Sequence, residues 1–539
     1  MSRGPVKLES RIDSRPMTPN ALKRLHEAAC FLRAYPQDAS ELAEARRVLA
    51  GFHLRRDVLR QAEALADSGI AGTPIYYRFF WPMARWLASR YPKQLTIDWT
   101  DAEFAGRLAA ALPFLVTPAE AGALQRAELP ARLAIDQLRA RRETDATFLV
   151  RRIEAIPGSD AVREATHDAL DVAYRLEGSA TGPSRTHAFF DSAPFAFRSG
   201  PPERDRPDLA RALRVPPRSV RALGTRDGAR LVELARAAMV TRSRDLDAFA
   251  HGDARDVSLV DDGDGLAFAL IGVQPEHRLF LPAVYGALTL RNGVPIGYVQ
   301  LDVLFGNAEV SYNTFTTFRG GEAGFVFARL LAATRHLFGV RSFSIEPYQL
   351  GLRNEEGILS GAWWFYAHFG FRPRDPEVLR LARGELTKRA RNPRHRSSRR
   401  TLLRLAEAHV FWSQAENRNS VVTPTAAIGF ALARRLAASG GADREAALDA
   451  CEMRIGERLG VRSLRGFSRG ERLWWRRFAP LLDAIPGLAR WTSHERRAVV
   501  QVVRAKGGRS ERTYARLFDA HPRLAAAVLA VGGRAPRMR

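Results

Sequence analysis

Residues 285–371 read YGALTLRNGVPIGYVQLDVLFGNAEVSYNTFTTFRGGEAGFVFARLLAATRHLFGVRSFSIEPYQLGLRNEEGILSGAWWFYAHFGF. Two extended runs, YGALTLR and VPIGYVQLDVL, flank Asn292-Gly293, a dipeptide that tolerates positive φ and so predicts a tight hairpin. A third run, AEVSYNTF, follows the turn at Gly306-Asn307. FRGGEAG then opens an amphipathic segment in which Val326, Leu330, Leu331 and Leu337 recur at helical spacing, with Gly339 placed to end it. A short strand, RSFSIEP, and a second helix ending in WWFYAHFGF complete the unit. Three strands, a glycine-rich turn, a helix, a strand and a helix predict an α+β fold with a candidate anion site at one helix start.

The unit extends toward the amino terminus. DGARLVELARAAMVTR reads as a helix, and VSLVDDGDGLAFALIGV as two extended runs around an Asp/Gly turn, so the sheet domain is expected over residues 223–376. Asp261, Asp262 and Asp264 in that turn resemble a calcium loop but lack the later glutamate, and no metal is expected there. Residues 178–222 are rich in Gly, Pro, Ser and Arg and predict an irregular connection. Phe189, Phe190, Phe195 and Phe197 indicate that it is pinned to a neighbouring surface.

Residues 1–177 predict a helical domain. Thr18-Pro19 and Thr117-Pro118 each supply an N-cap followed by proline, the second with Glu120 completing a capping box. The aromatic stretch from Tyr76 to Tyr91 reads as core. Residues 377–539 predict a second helical region with a capping box from Thr492 to Glu495. In ERLWWRRFAPLL, the pair Trp474 and Trp475 among arginines reads as core edge rather than as a base-stacking surface.

With 539 residues and 46% apolar composition, the chain is long enough for two or three domains. The opening MSRGPVKLESRID has charges where a signal peptide needs an apolar core, and no apolar run reaches the roughly 18 residues of a membrane span. No transmembrane segment and a cytoplasmic location are therefore expected. The two cysteines, Cys30 and Cys451, support neither a disulfide framework nor a zinc ribbon. Net charge is +25. Residues 381–539 hold 33 Lys and Arg against 13 Asp and Glu, leaving only +5 for the remainder. Such a field makes nucleic acid or another polyanion a candidate partner for this region.

The central unit resembles the GNAT superfamily of N-acetyltransferases. The resemblance rests on the Gln/Arg-x-x-Gly-x-Gly/Ala turn before a helix and on a late tyrosine followed by x-x-x-Gly-Phe. Arg319 and Gly324 match the ends of the turn in one frame, and Gly321 and Ala323 match it one residue earlier; Glu322 stands at the middle glycine position of the first. Phe365, Tyr366, Gly370 and Phe371 match the later motif. The resemblance covers about residues 245–376 and implies a central GNAT-like mixed sheet domain flanked by the two helical regions.

It further implies acyl transfer from an acyl-CoA, acetyl-CoA in the first instance, to an amine acceptor. Phe315, Arg319, Gly320, Gly321, Ala323 and Gly324 would hold the cofactor, the turn by its amides and Phe315 by a strand amide polarising the thioester carbonyl. Tyr366 would protonate the departing thiolate. The thioester would sit between AEVSYNTF and RSFSIEP, where Glu309 and Glu346 are candidate bases and Asp302, on the preceding strand, is a poorer one. Asn354 lies twelve residues before Tyr366, farther than the family's preceding Asn, and no clear strand follows Gly-Phe in RPRDPEVLRLARG. The competing expectation is a GNAT-like scaffold without catalysis, with the basic carboxyl-terminal region contacting nucleic acid.

Overall fold

The structure, a computed structural model, describes residues 16–191, 195–200, 207–319, 322–414 and 425–533. The amino-terminal region is mainly helical, starting with α1 (Pro19–Ala34), whose N-cap Thr18 accepts from the Ala21 amide. It also contains a small antiparallel sheet that the sequence did not announce. Its strands β1 (Ile75–Tyr77), β2 (Leu95–Ile97) and β3 (Tyr174–Leu176) lie in the order β1-β3-β2. Phe79 and Trp81 are buried, so the aromatic stretch is largely core.

The central sheet has nine strands among the described residues. They are β4 (Ser219–Ala222), β5 (Gly252–Gly263), β6 (Leu266–Val273), β7 (Ala283–Arg291), β8 (Val294–Leu304), β9 (Asn307–Thr314), β10 (Ser342–Ile345), β11 (Arg372–Pro373) and β12 (Val410–Ser413). Their spatial order is β4-β5-β6-β7-β8-β9-β10-β12-β11. All neighbours are antiparallel except β9 and β10, which run parallel. The sheet thus reaches past both expected boundaries, taking β4 from the connection and β12 from the carboxyl-terminal region. The strand sought after Phe371 exists, but it is two residues long and is completed by β12 from far along the chain.

Turn chemistry fixes the register. Asn292 and Gly293 adopt φ of 48° and 76°, as a two-residue hairpin requires. The Asn292 side chain also fastens the surroundings: its Nδ2 donates to Ala34 O and Ala196 O, and its Oδ1 accepts from the Ala196 amide. The Phe190 amide donates to Gly293 O, so the connection is pinned to this hairpin tip. The next turn lies at Phe305-Gly306, one residue earlier than expected. The Gly306 amide donates to both carboxylate oxygens of Asp519 at 3.0 Å.

Helix α2 (Thr225–Val240) packs on β5, and α3 (Ala323–Phe338) crosses from β9 to β10, stopping at Gly339 with φ 74°. Asp262, from the calcium-like turn, is instead gripped by both Nε and NH2 of Arg329 on α3 at 2.7 Å. Helix α4 (Ala362–His368) carries the late aromatic motif.

Beyond it lie α5 (Pro376–Arg391), α6 (Arg469–Asp483), α7 (Ser493–Gly507) and α8 (Glu511–Asp519). Their apolar residues join the core that lines the sheet. Trp474 and Trp475 are buried in that core and Trp474 Nε1 donates to Pro275 O, so neither ring is available to stack on a base. Several arginines of this basic region are neutralised internally. Asp483 is ringed by Arg435, Arg454 and Arg458; burial pushes its carboxyl up, but hydrogen bonds from Arg454 and Arg435 prevail and hold it below the usual range. No helix among the described residues is long and apolar enough to cross a membrane.

Candidate active site

β10 pairs with β9 only from Asn307 to Glu309. β9 continues to Thr314 while β10 ends at Ile345, so beyond Glu309 β9 has no ladder partner from β10, and the space beside this stretch of β9 is the candidate cleft. The Phe315 amide donates to Ile296 O on the β8 side at 2.9 Å. Amide direction alternates along a strand, which turns the amides of Val310, Tyr312 and Thr314 toward the cleft. Phe315 is therefore not the residue whose amide could polarise a carbonyl there. Its ring, tilted against Tyr298, supports the strand end instead.

One side of the sheet at this cleft is aromatic and covered by α3 and α4. Tyr312 packs on Phe327 and stacks on Phe365, its hydroxyl donating to Ala323 O at the first turn of α3. Tyr366 is 3% exposed and packs against Phe327, Phe365 and Phe371. Burial raises its phenol well above the usual value, reinforced by Tyr312 and Glu346. It stays protonated at any working pH.

The turn before α3 is held by its own side chains. Arg319 Nε donates to Thr314 O and its NH2 pairs with Glu356, so this arginine points back across the strand end. Glu322, the N-cap residue of α3, turns inward to Arg291 at 3.4 Å. Phe31 and Tyr35 of the amino-terminal region lie against Phe318 and roof the turn. Ala323 and Gly324 form the first turn of α3; Gly320 and Gly321 lie outside the described residues. Asn354 caps a short helix through the Gly357 amide and donates to Tyr348 O, which accounts for its side chain.

The other side of the sheet is polar. Strand alternation puts Tyr298, Gln300 and Asp302 of β8 beside Asn313, Ser311 and Glu309 of β9 on this face. Across the cleft mouth, Ser311 Oγ donates to Glu346 Oε1 at 3.4 Å, and His409, just ahead of β12, approaches Glu309 at 3.3 Å. Burial, then the neighbouring Glu309, raise the Glu346 carboxyl, with Ser311 and His409 pulling it back. Asp302 is raised furthest, to about 7, by burial and by Glu309, against a hydrogen bond from Gln300. The residue ranked lowest from sequence is thus the carboxyl poised near neutrality, the range in which a general base works best. The three carboxyls lie on the polar face of the sheet, and the hydroxyl-bearing rings of Tyr312 and Tyr366 on its aromatic face, where the β9–β10 ladder ends.

The raised Asp302 carboxyl has a measurable consequence. Between its ordinary value of 3.8 and about 7 the folded chain keeps a proton that the unfolded chain has lost. Its contribution is therefore present at low pH and is lost as pH rises through about 7. Asp302→Asn is expected to stabilise the protein by about 2 kcal/mol at pH 8, allowing for partial solvent access, and to be near neutral at pH 4. Urea unfolding at the two pH values checks this; equal effects at both would place the carboxyl outside the low-dielectric cluster.

Comparison of the chain with models of known families, with curated proteins and with solved structures finds no match, so the reading of this site rests on its own geometry.

Proposed function

We propose that the protein is an N-acyltransferase of GNAT-like fold that takes acetyl-CoA and an amine acceptor. The observation that carries this reading is the end of the β9–β10 ladder at Glu309 and Ser344, with a phenol on one side of the sheet and carboxyls on the other. The coenzyme's pyrophosphate meets the amides and positive dipole end at the start of α3, around Ala323 and Gly324, and its thioester enters the cleft. An amide of Val310 or Tyr312 polarises the carbonyl. The acceptor approaches from the polar face, where Asp302, with Glu309 and Glu346, takes the ammonium proton. The amine nitrogen bonds to the carbonyl carbon, the carbon–sulfur bond breaks, Tyr366 delivers its proton to the thiolate, and the second proton shed by the nitrogen passes to solvent, from which Tyr366 is reprotonated.

Calorimetric titration with acetyl-CoA tests the donor. Gly324→Asp sharpens the test, because an acid in the first turn suits the helix dipole and spares the fold while repelling an anion. The expected result is binding by wild type and at least about a tenfold loss in the variant, with the melting temperature unchanged or higher. Absence of heat at millimolar acetyl-CoA would sink the donor assignment. A second reading, a scaffold without catalysis, is favoured by the inward carboxylate of Glu322 and the Phe31/Tyr35 roof over the turn; it predicts that same silence.

A further inference from the structure

We propose that the free edge of β4, with the basic groove beside it, is a docking site for an acidic, extended segment of a partner protein, which adds to the central sheet as one more strand. β4 is the outermost strand on its side of the sheet and, among the described residues, pairs with β5 alone. The Leu223 amide donates to Val257 O directly opposite it. By antiparallel alternation the amide and carbonyl of Arg221 then also turn to β5, while those of Val220 and Ala222 turn outward. Every residue of the strand is exposed or half-buried. Beside Val220 lies a groove of about 340 Å³, lined also by His336 and Leu337 at the end of α3 and by Arg512, Thr513 and Arg516 on α8. A strand added to this edge would set every second side chain over that groove.

The groove carries one sign of side-chain charge, and no carboxylate lines it. Arg516 answers the negative dipole end of α3, its Nε donating to Leu337 O at 2.8 Å and its NH2 to His336 O at 3.1 Å. The Arg512 side chain has no hydrogen-bond or ion-pair partner among the described residues, although its amide donates to the Tyr285 hydroxyl. Its guanidinium is therefore open to an incoming carboxylate. Acids on the adjoining elements are committed elsewhere: Asp262 of β5 to Arg329, Glu511 to Lys506 and Asp519 to the Gly306 amide. Asp261, opposite Ser219, lies on the other face by strand alternation and accepts from the Gly263 amide. Arg218, just ahead of β4, and Arg221 within it are exposed. Cations on an edge strand deter indiscriminate pairing. Here they also set the sign of what can pair, since a cationic strand is repelled while one with carboxylates at alternate positions gains opposite-charge neighbours.

This surface does not depend on the acyl-transfer reading. The test is a fluorescence anisotropy titration of the full chain with three labelled peptides: one of alternating Glu and Thr, its Lys and Thr counterpart, and a Glu and Thr peptide N-methylated along one edge. The first is expected to bind, more weakly as salt rises, and the second not to bind. Arg512→Glu should weaken binding of the first at least about tenfold. It should not lower the melting temperature, because an acid in the first turn of α8 suits the helix dipole. Val220→Pro removes an outward amide and no bond to β5, and should weaken binding severalfold. Should Val220→Pro fail to fold, the N-methylated peptide makes the same test from the ligand's side and should bind severalfold more weakly than its parent. Failure of the Glu and Thr peptide to bind, equal binding by the N-methylated peptide, or unchanged affinity in Arg512→Glu overturns the proposal. Displacement of the peptide by oligothymidylate, with oligothymidylate affinity equal in wild type and Val220→Pro, would make the groove a general polyanion surface. Self-association of the free chain that Val220→Pro abolishes would give the edge to a second copy. Either of these results also overturns it.

Discussion

Replacing Lys506 by Met is expected to cost about 3–5 kcal/mol of unfolding free energy, the loss typical of stranding one partner of a buried ion pair. Lys506 near the end of α7 and Glu511 at the start of α8 form an ion pair with no exposed side-chain surface on either partner. The ammonium also donates to Pro282 O and lies over the rings of Trp474 and Tyr514. Glu511 accepts from the Val284 amide of β7, and the Arg278 guanidinium stands 3.9 Å away while bonded to carbonyls at Val273, Gly508 and Arg509. Burial pulls the lysine down to about 8, and Glu511 opposes that pull.

This network is where the carboxyl-terminal helices join the sheet. Removing the lysine leaves Glu511 charged in a place that water does not reach. Lys506→Met combined with Glu511→Gln should therefore cost at least about 2 kcal/mol less than the sum of the two single changes. Chemical denaturation of the four proteins measures the coupling. Additive losses would mean that the charges do not depend on one another, and that the helices are held by Trp474, Tyr514 and Phe518 alone.

Local chemistry was legible where a single residue dictates backbone shape. Asn292-Gly293, Gly339 and the capping boxes at Thr117 and Thr492 each fall where the sequence places them, because positive φ or an unsatisfied helix amide admits few residue types. Long-range pairing was not legible. β12 has four residues, lies beyond α5 and inserts beside β10, and nothing in VFWS distinguishes it from any short apolar run. The same limit hid β1, β2 and β3, each three residues long.

At the site, residue types were easier to read than directions. Glu309 and Glu346 lie on the same polar face, contacted by His409 and Ser311, but the amide of Phe315 points to β8, a matter of strand parity that depends on knowing the register. Asp302 could have been ranked higher from the alternation of Tyr298, Gln300 and Asp302 in β8, which already marks one polar face. Its raised carboxyl, however, comes first from burial within the folded chain and then from Glu309.

If the cleft transfers acyl groups, Tyr366→Phe should lower turnover by about 10²–10⁴-fold, the usual share of one general acid, with acetyl-CoA affinity nearly unchanged. The substitution keeps the ring among Phe327, Phe365 and Phe371 and deletes only a hydroxyl for which no hydrogen-bond partner is found among the described residues. Its effect on stability should therefore be under about 1 kcal/mol, since no established hydrogen bond is broken. The carboxyl side provides the complementary signature. With Asp302 as base, kcat/KM in wild type should rise with pH to a plateau above about 7, because the carboxyl must first lose its proton. Asp302→Asn should flatten that limb, whereas Tyr366→Phe should lower the whole profile without moving it. Because no acceptor is assigned, hydrolysis of acetyl-CoA is the first assay and a panel of primary amines the second. A Phe variant that hydrolyses acetyl-CoA and acylates amines as fast as wild type would remove Tyr366 from the chemistry and leave it as packing for α4. A pH limb that persists unshifted in Asp302→Asn would move the base to Glu346, whose carboxyl is raised by the same burial and the same neighbour.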